Sequence, residues 1–92
     1  MNWYSGKFIF KSDVENDSEP LVEESIRVFR ASDDQAAETR AQELGTASEH
    51  SYENENGQTV TWRFIEVQEI QDLCETELED GTEVYSVMRS GE

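Results

Sequence analysis

Apolar and polar residues alternate from the start of the chain. Residues 3–11, Trp-Tyr-Ser-Gly-Lys-Phe-Ile-Phe-Lys, predict a strand with Tyr4, Phe8 and Phe10 on one face and Trp3, Lys7, Ile9 and Lys11 on the other. Residues 12–20 turn polar and acidic and hold the sole proline, Pro20, which predicts a mobile loop. Residues 21–30 predict a second strand. There Val22, Ile26 and Val28 share a face with Glu24, while Leu21, Arg27 and Phe29 share the other with Glu23.

The period then changes. Ser32 is placed as an N-cap, with Gln35 three residues on completing a capping box. Asp33 and Asp34 fall in the first turn, where the helix dipole favours negative charge. Ala37, Ala41 and Leu44 gather on one narrow face beside Ala36 and Arg40, and Gly45 is placed as the left-handed residue that ends the helix. A face of small residues lets a helix lie close against a sheet.

Residues 49–55 and 58–70 predict a hairpin around Asn56-Gly57, because a type I′ turn needs positive φ at both central positions. That register sets Tyr52 across from Thr61 and His50 across from Arg63, with Val60, Trp62 and Phe64 on the opposite face. Ile65 and Val67 break the alternation, so the strand is either buried on both sides there or reset by a bulge. Residues 71–81 predict an acidic loop or short helical turn closed by Asp80-Gly81, residues 82–89 a last strand, and Ser90 to Glu92 a frayed tail. The expected architecture is α+β: a mainly antiparallel five-stranded sheet with one helix on one face, in the order β-β-α-β-β-β, making one domain over residues 1–92. One helix cannot cover five strands on both sides, so the second face calls for loops, a second copy or a partner.

Composition changes this picture in one respect. The chain carries 22 Asp and Glu against 7 Lys and Arg, a formal charge of −15. Nucleic acid and anionic membrane are therefore excluded as expected partners, because two polyanions repel and release no counterions on contact. A basic protein surface or self-association remains. The single cysteine, Cys74, allows no internal disulfide. The N-terminus shows no signal-peptide pattern and no apolar run reaches membrane-spanning length, which predicts a cytoplasmic protein.

Taken together, several stretches resemble one family. These are Trp3-Tyr4-Ser5 with Lys7, Glu23-Glu24-Ser25 leading to Phe29 and Ala31, and Ala41 to Gly45. They continue with His50-Ser51-Tyr52, Asn54, Gly57, Val60, Trp62 and Phe64, and end with Asp80-Gly81-Thr82-Glu83-Val84-Tyr85-Ser86. Over residues 2–87 the chain resembles the bacterial domain-of-unknown-function family numbered 4288. The resemblance implies a small standalone domain and brings no catalytic residues with it. Met88 to Glu92 depart from it.

Candidate chemistry is sparse. His50, the only histidine, is set by the expected register beside Tyr52, Thr61 and Arg63. This is a polar pocket in which Arg63 would lower the histidine pKa and bind an anion, or else a plain cross-strand surface cluster. Glu24 is either a buried carboxylate with a raised pKa or a surface acid paired with Arg40 or Lys7. The acids of residues 72–83 lack the spacing of a calcium loop, no His or Cys pair suggests zinc, and no cofactor is expected. There is no nucleophile motif, and the acids around Cys74 would dull it as a nucleophile.

The reading that follows is a non-enzymatic protein-binding module, in a specific version an inhibitor or immunity-type protein that blocks the basic cleft of a nuclease or similar target. The binding residues expected are Glu75, Glu77, Glu79 and Asp80, joined by Asp13, Glu15, Asp17 and Glu19, with Trp62, His50 and Arg63 as further contacts. The rival is a small-ligand binder or enzyme using His50, Arg63 and Tyr52, or Glu24. A third reading is a homodimeric scaffold whose acidity is a salt or solubility adaptation.

Overall fold

The first strand of the chain becomes the middle of the sheet. The computed structural model describes residues 1–17 and 19–91; Ser18 of the expected loop and Glu92 of the expected tail lie outside them. The elements are β1 (Asn2–Val14), β2 (Val22–Ala31), α1 (Asp34–Ala47), β3 (His50–Glu53) and β4 (Thr59–Glu75). The strands are antiparallel and ordered β2-β1-β4-β3. β1 alternates as expected: Tyr4, Phe8 and Phe10 are buried against the helix side. They join Phe29, Ala31, Ala37 and Ala41 in the core, with Trp62, Phe64, Val67 and Ile70 packed around them. The rings interlock, Tyr4 stacked on Phe29 at 6.1 Å and Phe8 edge-on to Phe29 at 6.2 Å between centroids.

The α+β class stands, but the five-stranded sheet is corrected to four strands in the order β-β-α-β-β. Residues 82–89, expected as a fifth strand, form none. Tyr85 is used against the sheet's back face instead of along an edge, while Val87 and Met88 are exposed. Val84 and Tyr85 are both half-buried, and the Tyr85 hydroxyl donates to Glu69 at 2.5 Å while its ring lies 5.6 Å from the Lys7 ammonium.

The expected acidic loop at residues 71–81 is also shortened, because β4 runs on to Glu75. β4 has 17 residues against 13 in β1, and the difference is absorbed by register shifts at three places. The shift between Ile9 and Phe10 leaves Ile65 unpaired, so the break at Ile65 and Val67 is a bulge. Ile65 stays exposed while Val67 returns to the core side. The other two shifts accompany left-handed backbone at Glu69 (φ 51°) and Cys74 (φ 58°). Each bulge adds bend and twist, which curls the sheet around α1.

Both helix ends differ from expectation. The N-cap is Asp33, whose carboxylate accepts from the Ala36 N–H at 2.8 Å, one residue after Ser32. At the other end α1 passes through Gly45 to Ala47. Gly45 is buried, and a Cβ there would stand 2.5 Å from the Phe64 ring, so it serves close approach and not a left-handed cap. Ser48 closes the helix, its hydroxyl donating to the Leu44 carbonyl at 2.8 Å.

The hairpin register is corrected by one residue. His50 pairs with Trp62 and Tyr52 with Val60, not with Arg63 and Thr61. The cause is Asn54. Its side-chain oxygen accepts from the N–H groups of Asn56 and Gln58, and its carbonyl accepts from the Gly57 N–H. A longer loop forms around this side chain, with Gly57 at φ 75°. Because strand side chains alternate with period two, this slip moves His50 and Tyr52 to the helix side of the sheet.

Candidate functional site

Three of the depressions among the described residues bear on the candidate chemistry, and they lie on different parts of the molecule. The first is a groove of about 530 Å³ between the start of α1 and the far end of β4. Tyr4, Val67 and Ile70 line it together with Asp34, Glu38, Glu69 and Asp72. Tyr4 is 2% exposed and its hydroxyl donates to Asp34 at 3.1 Å. Its pKa is pushed up to about 12, first by burial, then by the hydrogen bond to Asp34 and the charges of Asp72, Asp34 and Asp33. Asp72 accepts from the Asn2 amide and the Cys74 N–H. Among the described residues the one cation paired with a groove acid is Lys7, 3.8 Å from Glu69. Lys7 is held above its usual pKa by hydrogen bonding with Tyr85, against its desolvation, and by the Glu69 charge.

The second depression, about 230 Å³, is lined by Phe10, Glu23, Arg27, Ser48, His50, Tyr52 and Trp62. His50 and Tyr52 stack with centroids 6.0 Å apart, and the His50 Nδ1 lies 3.1 Å from the Ser48 carbonyl, which fixes it as the donor. Arg27 lies 4.8 Å from the Phe10 ring and donates to the Ser48 hydroxyl at 2.7 Å. Its planar cation thus covers the core beyond the end of α1.

The third depression, about 300 Å³, holds Arg63 with Lys11, Asp13, Asp17 and Ile65. Arg63 sits across from Lys11 and 3.9 Å from Asp13, both members of that pair being exposed. The expected grouping of His50, Tyr52 and Arg63 is therefore divided: the first two join Trp62 and Arg27, and Arg63 stands on the other face. Glu24 is exposed beside Ile9, not buried. Glu75, at the end of β4, and Glu77, Glu79 and Asp80, which follow it, are exposed. A turn at Glu79–Thr82 orders this segment, with the Thr82 hydroxyl accepting from the Glu79 N–H at 2.9 Å. Among the described residues, no three His, Cys, Asp or Glu side chains gather as a metal site, and no helix is long and apolar enough to cross a membrane.

Sequence reasoning missed the groove and Arg27. Asp34 and Glu38 carry a usable signal, being four apart on one side of a helix. Glu69 and Asp72 carry none on their own strand, since β4 bulges there without a glycine; the glycine at the Glu69 shift, Gly6, is on β1. No curated protein and no solved structure matches the chain. A family model does: residues 3–86 match the family described as Domain of unknown function (DUF4288), and the chain belongs to that family.

Proposed function

We propose that this chain is a non-enzymatic protein-binding module that engages a basic protein surface, in the manner of an inhibitor or immunity-type protein. The observation that carries the reading is the groove between α1 and β4. Its floor is apolar, from Val67 and Ile70, and its rim is four carboxylates. A lysine or arginine side chain from a partner has that chemistry in reverse, an apolar stem with a cationic head. Asp34, Glu38 and Asp72 have no cationic partner among the described residues, so an incoming cation displaces no internal ion pair at these three. Glu75 and the exposed acids Glu77, Glu79 and Asp80 extend the same charge beyond the groove and would steer a basic partner toward it.

The test is titration of the full chain with a lysine-rich peptide, followed by amide chemical shifts at low and high salt. Shifts centred on Asp34, Glu38 and Asp72, weakened roughly three- to tenfold by Asp34→Asn with Asp72→Asn, support the reading. Shifts spread evenly over all acids and unmoved by those substitutions would sink it. A second reading is favoured by the His50–Tyr52 stack with Trp62 and Arg27, which suits a small planar anion; loss of such binding in Trp62→Ala with the fold intact would speak for it.

A further inference from the structure

β2 is the longer open edge of the sheet. It has ten residues, pairs with β1 without a register shift and contains no proline, whereas the other edge, β3, has four residues. Among the described residues no side chain bonds to the backbone of β2, and its only ladder is with β1. Proteins commonly guard such an edge with bulges, proline, brevity or charge. β2 has none of the first three, and its charges, Glu23, Glu24, Arg27 and Arg30, are of both signs.

Its back face explains what the edge fits. Glu24, Ile26, Val28 and Arg30 alternate along that face and all four are exposed, Ile26 at 39% and Val28 at 37%. The row reads acid, apolar, apolar, base. Turned end for end, it is complementary to itself. An antiparallel copy centred on Arg27 sets Glu24 across from the second Arg30 and Ile26 across from the second Val28, each twice. Moving the centre to Ile26 leaves Glu24 facing Val28, and moving it to Val28 leaves Arg30 facing Ile26, so either shift loses both ion pairs. On the other face, the two Arg27 side chains meeting at the axis do not collide, because each leans inward over Phe8 and Phe10 toward Ser48. The Arg30 guanidinium lies 5.0 Å from the Trp3 ring on β1, so it must swing from that ring toward the edge to meet a partner's Glu24.

We propose that two copies of this chain pair β2 to β2 about a twofold axis at Arg27, with Glu24–Arg30 and Ile26–Val28 contacts joining their sheets into one. Both helices then lie on the same side, and the groove between α1 and β4 stays open, because β1 separates it from the joined edge. The pairing is independent of the groove and stands or falls separately. The charge of −15 on each copy opposes the approach, so association strengthens with added salt until the repulsion is screened, even though the local ion pairs weaken.

The experiment is sedimentation equilibrium of the full chain under reducing conditions, from micromolar to millimolar, with circular dichroism to establish that each variant is folded. A dimer is expected whose dissociation constant rises roughly tenfold or more in Glu24→Arg and in Arg30→Glu, where like charges face each other twice. The combination Glu24→Arg with Arg30→Glu recovers the wild-type constant. Amide exchange gives a second readout: protection of β2, and not of β3, rises with protein concentration. A monomer at every concentration and salt, a dimer indifferent to both single substitutions, or a folded double variant that fails to recover each overturns the proposal.

Discussion

Gly45 shows how one residue sets the distance between two layers. With no side chain it lets α1 rest against the Phe64 ring, whose atoms lie 2.5 Å from where a Cβ would be. Gly45→Ala gains about 1 kcal/mol of helix propensity but forces the ring to move, an overpacking cost of roughly 1–3 kcal/mol. A net loss of about 1 kcal/mol is expected in urea unfolding at unchanged slope; a gain would mean that Phe64 has room to swing away. Tyr4 makes a prediction in pH. Its folded pKa of about 12 lies above the ordinary 10.0, so between those values the folded chain holds the phenol proton more tightly than the unfolded one. Stability from this group is complete below pH 10.0 and is lost as the pH rises toward about 12. Tyr4→Phe removes that loss, and the urea midpoint followed across this alkaline range in both proteins checks it.

At the scale of elements, β4 departs most from a regular strand. It bends through three register shifts, two of them with non-glycine residues in left-handed conformation. Cys74 is exposed and its thiol makes one long contact, 3.8 Å to the Asp72 carbonyl; its positive φ is supported by the backbone N–H bond to the Asp72 carboxylate at 2.8 Å, which a glycine would keep, and not by the side chain. Cys74→Gly relieves a conformation that disfavours a Cβ by roughly 1–2 kcal/mol, partly offset by the flexibility glycine gives the unfolded chain. A stabilisation of up to about 1 kcal/mol is expected in chemical denaturation; a loss would show that the thiol contact matters more than the backbone. These bulges also mark where the sequence stops being readable. The faces of β1, the presence of α1 and the position of the hairpin follow from periodicity, because each buries a repeating set of side chains. The slip around Asn54, the extension of β4 and the loss of the fifth strand do not, because they depend on one side chain bonding its own loop and on bulges for which β4 itself supplies no glycine. The candidate site suffers from the same causes: His50 and Tyr52 were visible as residues, but the face they occupy depends on a one-residue register.

For the whole molecule, the decisive quantity is uncompensated charge. Three ion pairs are formed among the described residues while the net charge is −15, so self-repulsion outweighs attraction. Exposed pairs contribute at most about 1 kcal/mol each, and repulsion is screened over about 10 Å at 0.1 M salt. The unfolding temperature is expected to rise as salt is added to about 0.5 M; a fall would place the ion pairs in control. The sheet also divides the two tryptophans. Trp62 stands on the helix side of β4, and Trp3 on the back of β1 beneath Arg30. Each layer of the protein therefore carries its own fluorophore. With Trp3→Phe the emission follows the helix and the His50 depression alone; with Trp62→Phe it follows the back of the sheet. Optical spectroscopy can thus separate loosening of the helix layer from exposure of the sheet's back, in a molecule small enough for the two to pass for a single event.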